Sequence, residues 1–434
     1  MKEQLKEIMD KFEVKASYEE HVGPAVTRVD VRLDKTPILK VKELEEDIYL
    51  QLGTRDIRII SPSLEVPYFS YEIPNKKRRF IRRSTSNGEG LDFVIGEGFD
   101  GKEIHLDLSK DTPLLIGGAT GTGKSVCVDN ILSALMRQVP PEELGMVVVD
   151  TNIVRINIDD DTPNLLLPKI TDTKEALGAL AWLAEETLRR KENPDGSYKK
   201  ILFLIDEIVD LMMLYREEAE QYFRIIMFNK AQDLGIYLIV TTQRAAYPSI
   251  GGIMHGYFEN VIAFTCEIAS SAEVLTGETG AEKLLGMGDM LLYRYRSKPA
   301  IRGQIYMVYE EDFAEIIDFV KKKYGAGGGN SLIREYIVKF AEDKDAKEIE
   351  NERLDNLFYV AGKLLIYEGE TSERYLMKNL LIGYERAFRL LRQLRRYGLY
   401  KKEGEESQIL LTIDEFDELY KKLQQNQFDD AEDE

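Results

Sequence analysis

PLLIGGATGTGKSVCVDNILSALMRQV, residues 113–139, decides how this chain folds. A short apolar run leads into a glycine-rich loop, and an amphipathic stretch leads out. Strand, loop and helix in that order form the phosphate-binding turn of an α/β domain. Within it, residues 118–125 fit the pattern of Gly, four variable residues, Gly, Lys and then Ser or Thr. Gly118, Gly121 and Gly123 let the backbone curl so that its N–H groups face phosphate oxygens, and the helix behind adds the positive end of its dipole. The expected phosphate-binding set is therefore Gly118, Ala119, Thr120, Gly121, Thr122, Gly123, Lys124, Ser125 and Val126. Lys124 is expected on the β- and γ-phosphates, and the Ser125 hydroxyl on Mg²⁺.

A second run, ILFLIDE (201–207), ends in two adjacent acids. Unpaired carboxylates beside a core are costly to desolvate, so their presence at a strand end points to use. Asp206 is expected to hold Mg²⁺ through water, and Glu207 to polarise the attacking water. Together the two stretches describe a nucleotide-hydrolysing site.

Working outward, continuous apolar runs recur at 113–117, 145–150, 201–206, 236–242, 259–265, 289–294 and 300–307, with amphipathic stretches between most of them. Runs without polar alternation imply strands covered on both faces, hence a mainly parallel, doubly wound sheet over residues 91–324. Residues 1–85 read as a small α+β unit with strands at 25–33 and 55–61, closed by the basic EIPNKKRRFIRR (72–83) and the joint STSNGEG (84–90). GAGGGN (325–330) opens an expected linker, 325–350, that includes a polar helix. Residues 351–413 read as short helices followed by a hairpin, and 414–434 as an acidic tail.

Composition sets bounds. The chain has 434 residues, 44% hydrophobic and 31% charged, which suits two or three soluble domains. No run approaches the ~20 apolar residues that span a bilayer. The N-terminus is charged instead of resembling a secretion signal, so a cytoplasmic location is expected. Two cysteines and three histidines imply neither a disulfide framework nor a zinc site. The net charge of −19 argues against a polyanion partner until its distribution is read. Residues 414–434 hold nine acids and two bases, whereas 374–402 hold nine bases and one acid.

The basic stretch includes GYERAFRLLRQLRRYGLYKK (383–402). Ala387, Leu390, Leu391 and Leu394 mark one helical face, and Glu385, Arg389, Arg392 and Arg396 another. An apolar back, an arginine front and a following hairpin make a winged-helix arrangement, with the front expected in a major groove of DNA.

By these residues the chain resembles the FtsK/SpoIIIE family of hexameric double-stranded DNA translocases. GPAVTR (23–28), IPNKKRR (73–79), residues 101–130, LIDEIVDLMM (204–213), KAQDLGIYLIVTTQR (230–244), GAEKLLGMGDML (280–291) and residues 357–413 carry the resemblance in order. It implies a RecA-like ATPase motor, an N-terminal α domain and a winged-helix γ domain, with ATP and Mg²⁺ as cofactors. The implied partners are duplex DNA and further copies of the chain in a ring. It also implies that Gln243 senses the γ-phosphate, that Arg244 faces DNA, and that Glu385, Arg389 and Arg392 touch bases. The family commonly has arginine at Gln232, serving as a finger into a neighbouring subunit's site; Arg224 is an available substitute. TQRA in place of TQRP, Asn152 in place of lysine, and SSAEV (270–274) without its arginine are further departures. Two rival readings follow: a hydrolysis-impaired DNA-binding scaffold, and a coupling ATPase for conjugation or secretion.

Overall fold

The computed structural model describes residues 1–63, 66–82, 88–151, 156–194, 196–243, 257–295, 297–350, 355–403 and 406–429. They form two units, residues 1–342 and 343–434.

The first unit opens with a four-stranded antiparallel sheet: β1 (Ala16–Val22), β2 (Val26–Leu33), β3 (Arg58–Ile60) and β4 (Phe69–Pro74), in the order β1-β2-β4-β3. Val29 and Val31 of β2 are fully buried against Leu5 and Met9 of the helix Lys2–Lys11 and Ile48 of the helix Glu45–Leu52. Arg28 and Asp30 of the same strand are also buried, paired at 2.7 Å. The sequence reading has two strands here. It misses β1, whose ASYEEHV is half-exposed and too polar to show a pattern, and β4, whose last three residues (72–74) fall in the stretch read as a basic closing turn.

The second sheet holds β5 (Gly88–Glu89), β6 (Asp92–Gly98), β7 (Glu103–Asp107), β8 (Leu114–Gly117), β9 (Leu144–Asp150), β10 (Lys200–Asp206), β11 (Ile236–Thr242), β12 (Asn260–Ala263), β13 (Asp289–Arg294) and β14 (Ser297–Ile305). Its order is β5-β6-β14-β13-β12-β8-β11-β10-β9, with β7 on β6. The strands β12, β8, β11, β10 and β9 run parallel. Their apolar runs are covered on one face by the helices Thr173–Glu192, Ile208–Leu214 and Arg216–Phe228. The helices Lys124–Gln138 and Glu310–Tyr324 cover the other. This is the doubly wound core that the unbroken apolar runs imply. Its flank departs: β13, β14, β6 and β7 pair antiparallel. The few residues joining β13 to β14 leave no room for the crossover a parallel pair needs.

The expected linker is corrected. Gly327 N–H donates to the Asp161 carbonyl at 2.6 Å, and Asn330 N–H to that of Leu166 at 2.5 Å. The helix Ser331–Glu350 then places Ile333 and Ile337 in the motor core, pairs Arg334 with Glu175 at 2.6 Å and donates from Tyr336 Oη to Glu185. Polar composition hid a narrow apolar stripe.

In the second unit the helices Phe358–Glu368, Glu373–Leu380 and Tyr384–Arg396 precede a hairpin of β15 (Tyr400–Glu403) and β16 (Glu406–Ile409). Ala387, Leu390, Leu391 and Leu394 are buried together with Phe358, Leu365 and Leu376. The acidic tail is corrected over its first part: residues Ile413–Asp429 form a helix. Phe416 is fully buried there, its ring filling the space where Gly362 has no side chain. Tyr420 stacks on Tyr359 with centroids 4.6 Å apart. Charged residues between Phe416, Leu419, Tyr420 and Leu423 masked the helical spacing. Among the described residues, no helix is long and apolar enough to cross a membrane.

Candidate functional site

The strand order brings three sequence-distant ends together. β8 delivers the glycine loop, and β10 the two acids; β11 lies between them and ends at Gln243. In register, Thr242 lies beside Gly117, and Val240 beside Ile205, so all three chains end at one edge of the sheet. Gln243 bridges the parts. Thr120 Oγ1 donates to Gln243 Oε1 at 2.6 Å, and the Gln243 N–H donates to Glu207 Oε2 at 2.9 Å. The buried Gln243 Nε2 has no hydrogen-bond partner among the described residues.

Asp206 and Glu207 are both buried. Thr241 organises them: its Oγ1 donates to Asp206 Oδ1 at 2.5 Å and accepts from the Glu207 N–H at 3.0 Å. Glu207 has φ 58°, a left-handed conformation unusual for a side-chain-bearing residue. Burial pushes its carboxyl above the ordinary range, the Gln243 N–H opposes this, and the Asp206 charge adds to it. Thr241 was not singled out in the sequence; its signal is the TTQ (241–243) in which β11 ends.

Across from the acids, Gly118, Gly121 and Gly123 have φ of 147°, 75° and 128°. Lys124 is buried, and its Nζ donates to the carbonyls of Gly118 and Ala119 at 2.7 and 2.8 Å. Ser125 is exposed at the start of the helix. Behind the helix front, burial first and then Asp206 and Glu310 push Asp129 up to about 7. Beside the loop lies a cleft of about 500 Å³, lined by Thr120, Gly121, Lys124, Ser125 and Val126 and, on its apolar side, by Phe80, Met287, Ile305, Met307 and Tyr309.

Gln232 sits away from this cluster, in a 3₁₀ turn Ala231–Leu234, with its amide donating to the Ser109 carbonyl at 3.4 Å. Arg224 is exposed on the helix Arg216–Phe228. Arg244 and Asn152 lie outside the described residues.

In the second unit, Glu385, Arg389, Arg392 and Arg396 all belong to the helix Tyr384–Arg396. Arg389 and Arg396 are exposed and Arg392 is half-buried; the Glu385 side chain lies outside the described residues. Arg396 stacks over the Tyr397 ring at 5.1 Å. Arg386, one of the nine bases, is neutralised by Asp355 at 2.8 Å, so the basic front is narrower than its composition.

The FtsK/SpoIIIE family profile matches residues 82–196, and the FtsK alpha domain profile matches residues 1–75. A DNA translocase FtsK from Caldanaerobacter subterraneus subsp. tengcongensis is 32% identical over 87% of this chain. The chain belongs to the FtsK/SpoIIIE family. A second relative, the DNA translocase FtsK of Clostridium tetani, is 31% identical over 95% of this chain. The alignments cover 55% and 59% of these two proteins, so the chain spans little more than half the length of its relatives. A solved conjugation coupling protein, TcpA with ATPγS, has a TM-score of 0.49 at 18% identity, covering 73% of this chain and 99% of its own, a likeness too distant to assign anything here.

One FtsK-like stretch gains a structural meaning. GAEKLLGMGDML (280–291) forms the loop that abuts the phosphate loop, with the Gly288 N–H donating to the Thr122 carbonyl at 2.7 Å. A Cβ on Gly123 would stand 2.9 Å from Gly288 Cα, so glycine is required at the point of contact.

Proposed function

We propose that the chain is the motor and DNA-reading part of an ATP-driven double-stranded DNA translocase. The observation that carries this reading is Gln243, hydrogen-bonded at once to the phosphate loop through Thr120 and to the buried acid Glu207. A residue so placed registers whether a terminal phosphate lies between loop and acid, and its amide nitrogen, unpartnered among the described residues, is the group that would touch it.

In this reading the loop 118–125 cradles the phosphates, and Lys124 exchanges two carbonyls of its own loop for phosphate oxygens. The apolar side of the 500 Å³ cleft accommodates the base. Glu207, desolvated and lifted in pKa, is suited to orient and deprotonate water. The oxygen donors Ser125 and Asp206 fit Mg²⁺, and the negative cluster of Asp206 and Asp129 is what a divalent cation would offset. Such an ion supplies charge neutralisation for phosphoryl transfer when bound. The winged-helix reading of the second unit, with Arg389, Arg392 and Arg396 toward the groove, supplies DNA recognition. A ring of copies supplies processivity.

Steady-state ATPase rate with and without duplex DNA at low salt tests the proposal. Stimulation by duplex, abolished in Lys124→Ala, is the expected result; a rate indifferent to DNA counts against it. Gln232 favours a second reading, a nucleotide-responsive DNA-binding scaffold, because its amide is engaged on Ser109 and a neutral amide cannot serve as a cationic finger. That reading predicts ATP binding and DNA binding with negligible turnover.

A further inference from the structure

We propose that Arg78 is a positioning residue for the nucleotide, holding the loop Leu284–Gly288 against the phosphate loop and thereby setting nucleotide affinity. The inference rests on the nucleotide reading above. Arg78 Nη1 donates to the Leu285 carbonyl at 3.1 Å, and its Nη2 to the Gly286 carbonyl at 2.7 Å and to Gln304 Oε1 at 2.9 Å. Gln304 Nε2 in turn donates to the Met287 carbonyl at 2.8 Å. One guanidinium and one amide therefore occupy three successive carbonyls.

Those carbonyls need holding. Gly286, Met287 and Gly288 have φ of 67°, 51° and 86°, three left-handed residues in a row, and Met287 carries a side chain that disfavours it. Such a backbone persists only where its surroundings over-determine it. On its other side the loop supports the phosphate loop twice. Gly288 N–H donates to the Thr122 carbonyl at 2.7 Å, and the Ala119 N–H donates to the carbonyl of Thr265, whose Oγ1 donates to Leu284. Met287 and Gly288 also line the nucleotide cleft, as does Phe80, over which the Arg78 guanidinium stacks at 5.0 Å.

The anchor for Arg78 is the N-terminal sheet. Asn75 N–H donates to the Ala25 carbonyl and Arg79 N–H to that of Pro24, which strap residues 75–79 to the start of β2. A second route reaches the same loop: Glu72 of β4 pairs with Arg302, Arg302 with Asp289, and Asp289 Oδ2 accepts from the Leu285 N–H. That route is a buried ion pair and serves the fold. Arg78 and Gln304 instead bind the left-handed backbone itself, so loss of Arg78 loosens the loop without dissolving the interface.

The test measures affinity for a fluorescent ATP analogue with Mg²⁺, ATP KM and kcat, and the unfolding midpoint without nucleotide, in wild type, R78A, R78K, Q304A and R78A/Q304A. In R78A, affinity is expected to fall and KM to rise by about 10- to 100-fold, the scale of charge-assisted hydrogen bonds lost. Its kcat should stay within about twofold, since the loop acts on binding and not on the acids. R78K keeps a charged donor and should restore about half of the logarithmic loss. Q304A should weaken binding less, and the double variant should fall short of additivity because both side chains hold one loop. If R78A fails to fold, R78K and Q304A carry the same test. Wild-type chain without affinity for Mg-ATP overturns the nucleotide reading and this proposal with it. Wild-type affinity that persists unchanged in the variants overturns this proposal alone, as does a fall in midpoint with KM unmoved.

Discussion

Glu207 concentrates the chemistry of the site at one residue. Its left-handed backbone costs on the order of 1–3 kcal/mol, offset by the bonds from its N–H to Thr241 and from Gln243 to its carboxylate. Glu207→Gln keeps the shape and removes the proposed base. Nucleotide affinity should be retained while kcat falls by roughly 10²- to 10⁴-fold, read by analogue binding beside phosphate release. Burial raises the folded pKa of this carboxyl. Hydrolysis should therefore decline as pH drops through a value above the ordinary ~4.3 of glutamate. The stability sign is opposite: a raised folded pKa favours the fold at low pH, and that contribution is lost as pH rises through it. Glu207→Gln should thus unfold no more easily than wild type at neutral pH, and a clear loss of midpoint there would contradict the assignment of burial as the cause. The glycine loop and the acid pair were legible because each is contiguous. Thr241, Arg78 and the Thr120–Gln243 contact were not, because their partners lie far along the chain.

Among elements, the helix Ser331–Glu350 is the one whose sequence misleads most. Its charged, mixed composition reads as a spacer, yet Ile337 is fully buried and Phe340 lies against Gly178 of the helix Thr173–Glu192. Ile337→Ala should destabilise the first unit by about 2–5 kcal/mol, seen as a lower urea midpoint with an unchanged slope. A neutral result would restore the spacer reading. The interface between the two sheets of that unit depends on Glu72, Arg302 and Asp289, all buried. Burial alone would raise the Glu72 carboxyl, but the Arg58 and Arg302 charges outweigh it and hold it below its ordinary value. Its stabilisation is accordingly present above ~4.3 and lost as pH falls through the depressed folded value. Glu72→Gln should cost about 3–5 kcal/mol at neutral pH, since Arg302 keeps its charge with one partner fewer. The same variant should flatten the acid limb of a midpoint-against-pH curve; an unchanged limb would place the acid sensitivity elsewhere.

For the whole molecule the question raised by the proposed function is how a chain of net charge −19 would hold a polyanion. The answer proposed here is local: exposed arginines on one helix of the second unit, within an otherwise acidic chain. Removing a phosphate contact should lower the slope of log affinity against log salt by about 0.9 per residue. Arg396→Ala should do so in a duplex-binding titration, and Arg389→Ala to a smaller extent, because Asp355 lies 3.9 Å from its guanidinium. Arg386→Ala should not, because Asp355 already holds that charge; it should instead lower the stability of the second unit. Equal slopes for all three would mean that DNA, if bound, is held elsewhere.

By itself the sequence determined the glycine loop, the acid pair, the doubly wound core and the apolar backing of the arginine helix. Each is written in contiguous residues, by motif or by periodicity, and local sterics and burial suffice to read it. Tertiary structure alone decided that Gln243 joins loop to acid, that Arg78 reaches the loop at 285–286, that the first part of the supposed linker packs on the core and that Phe416 belongs to the second unit's interior. These depend on strand order and on pairs separated by tens to hundreds of residues, and no local pattern records which distant backbone a side chain will meet.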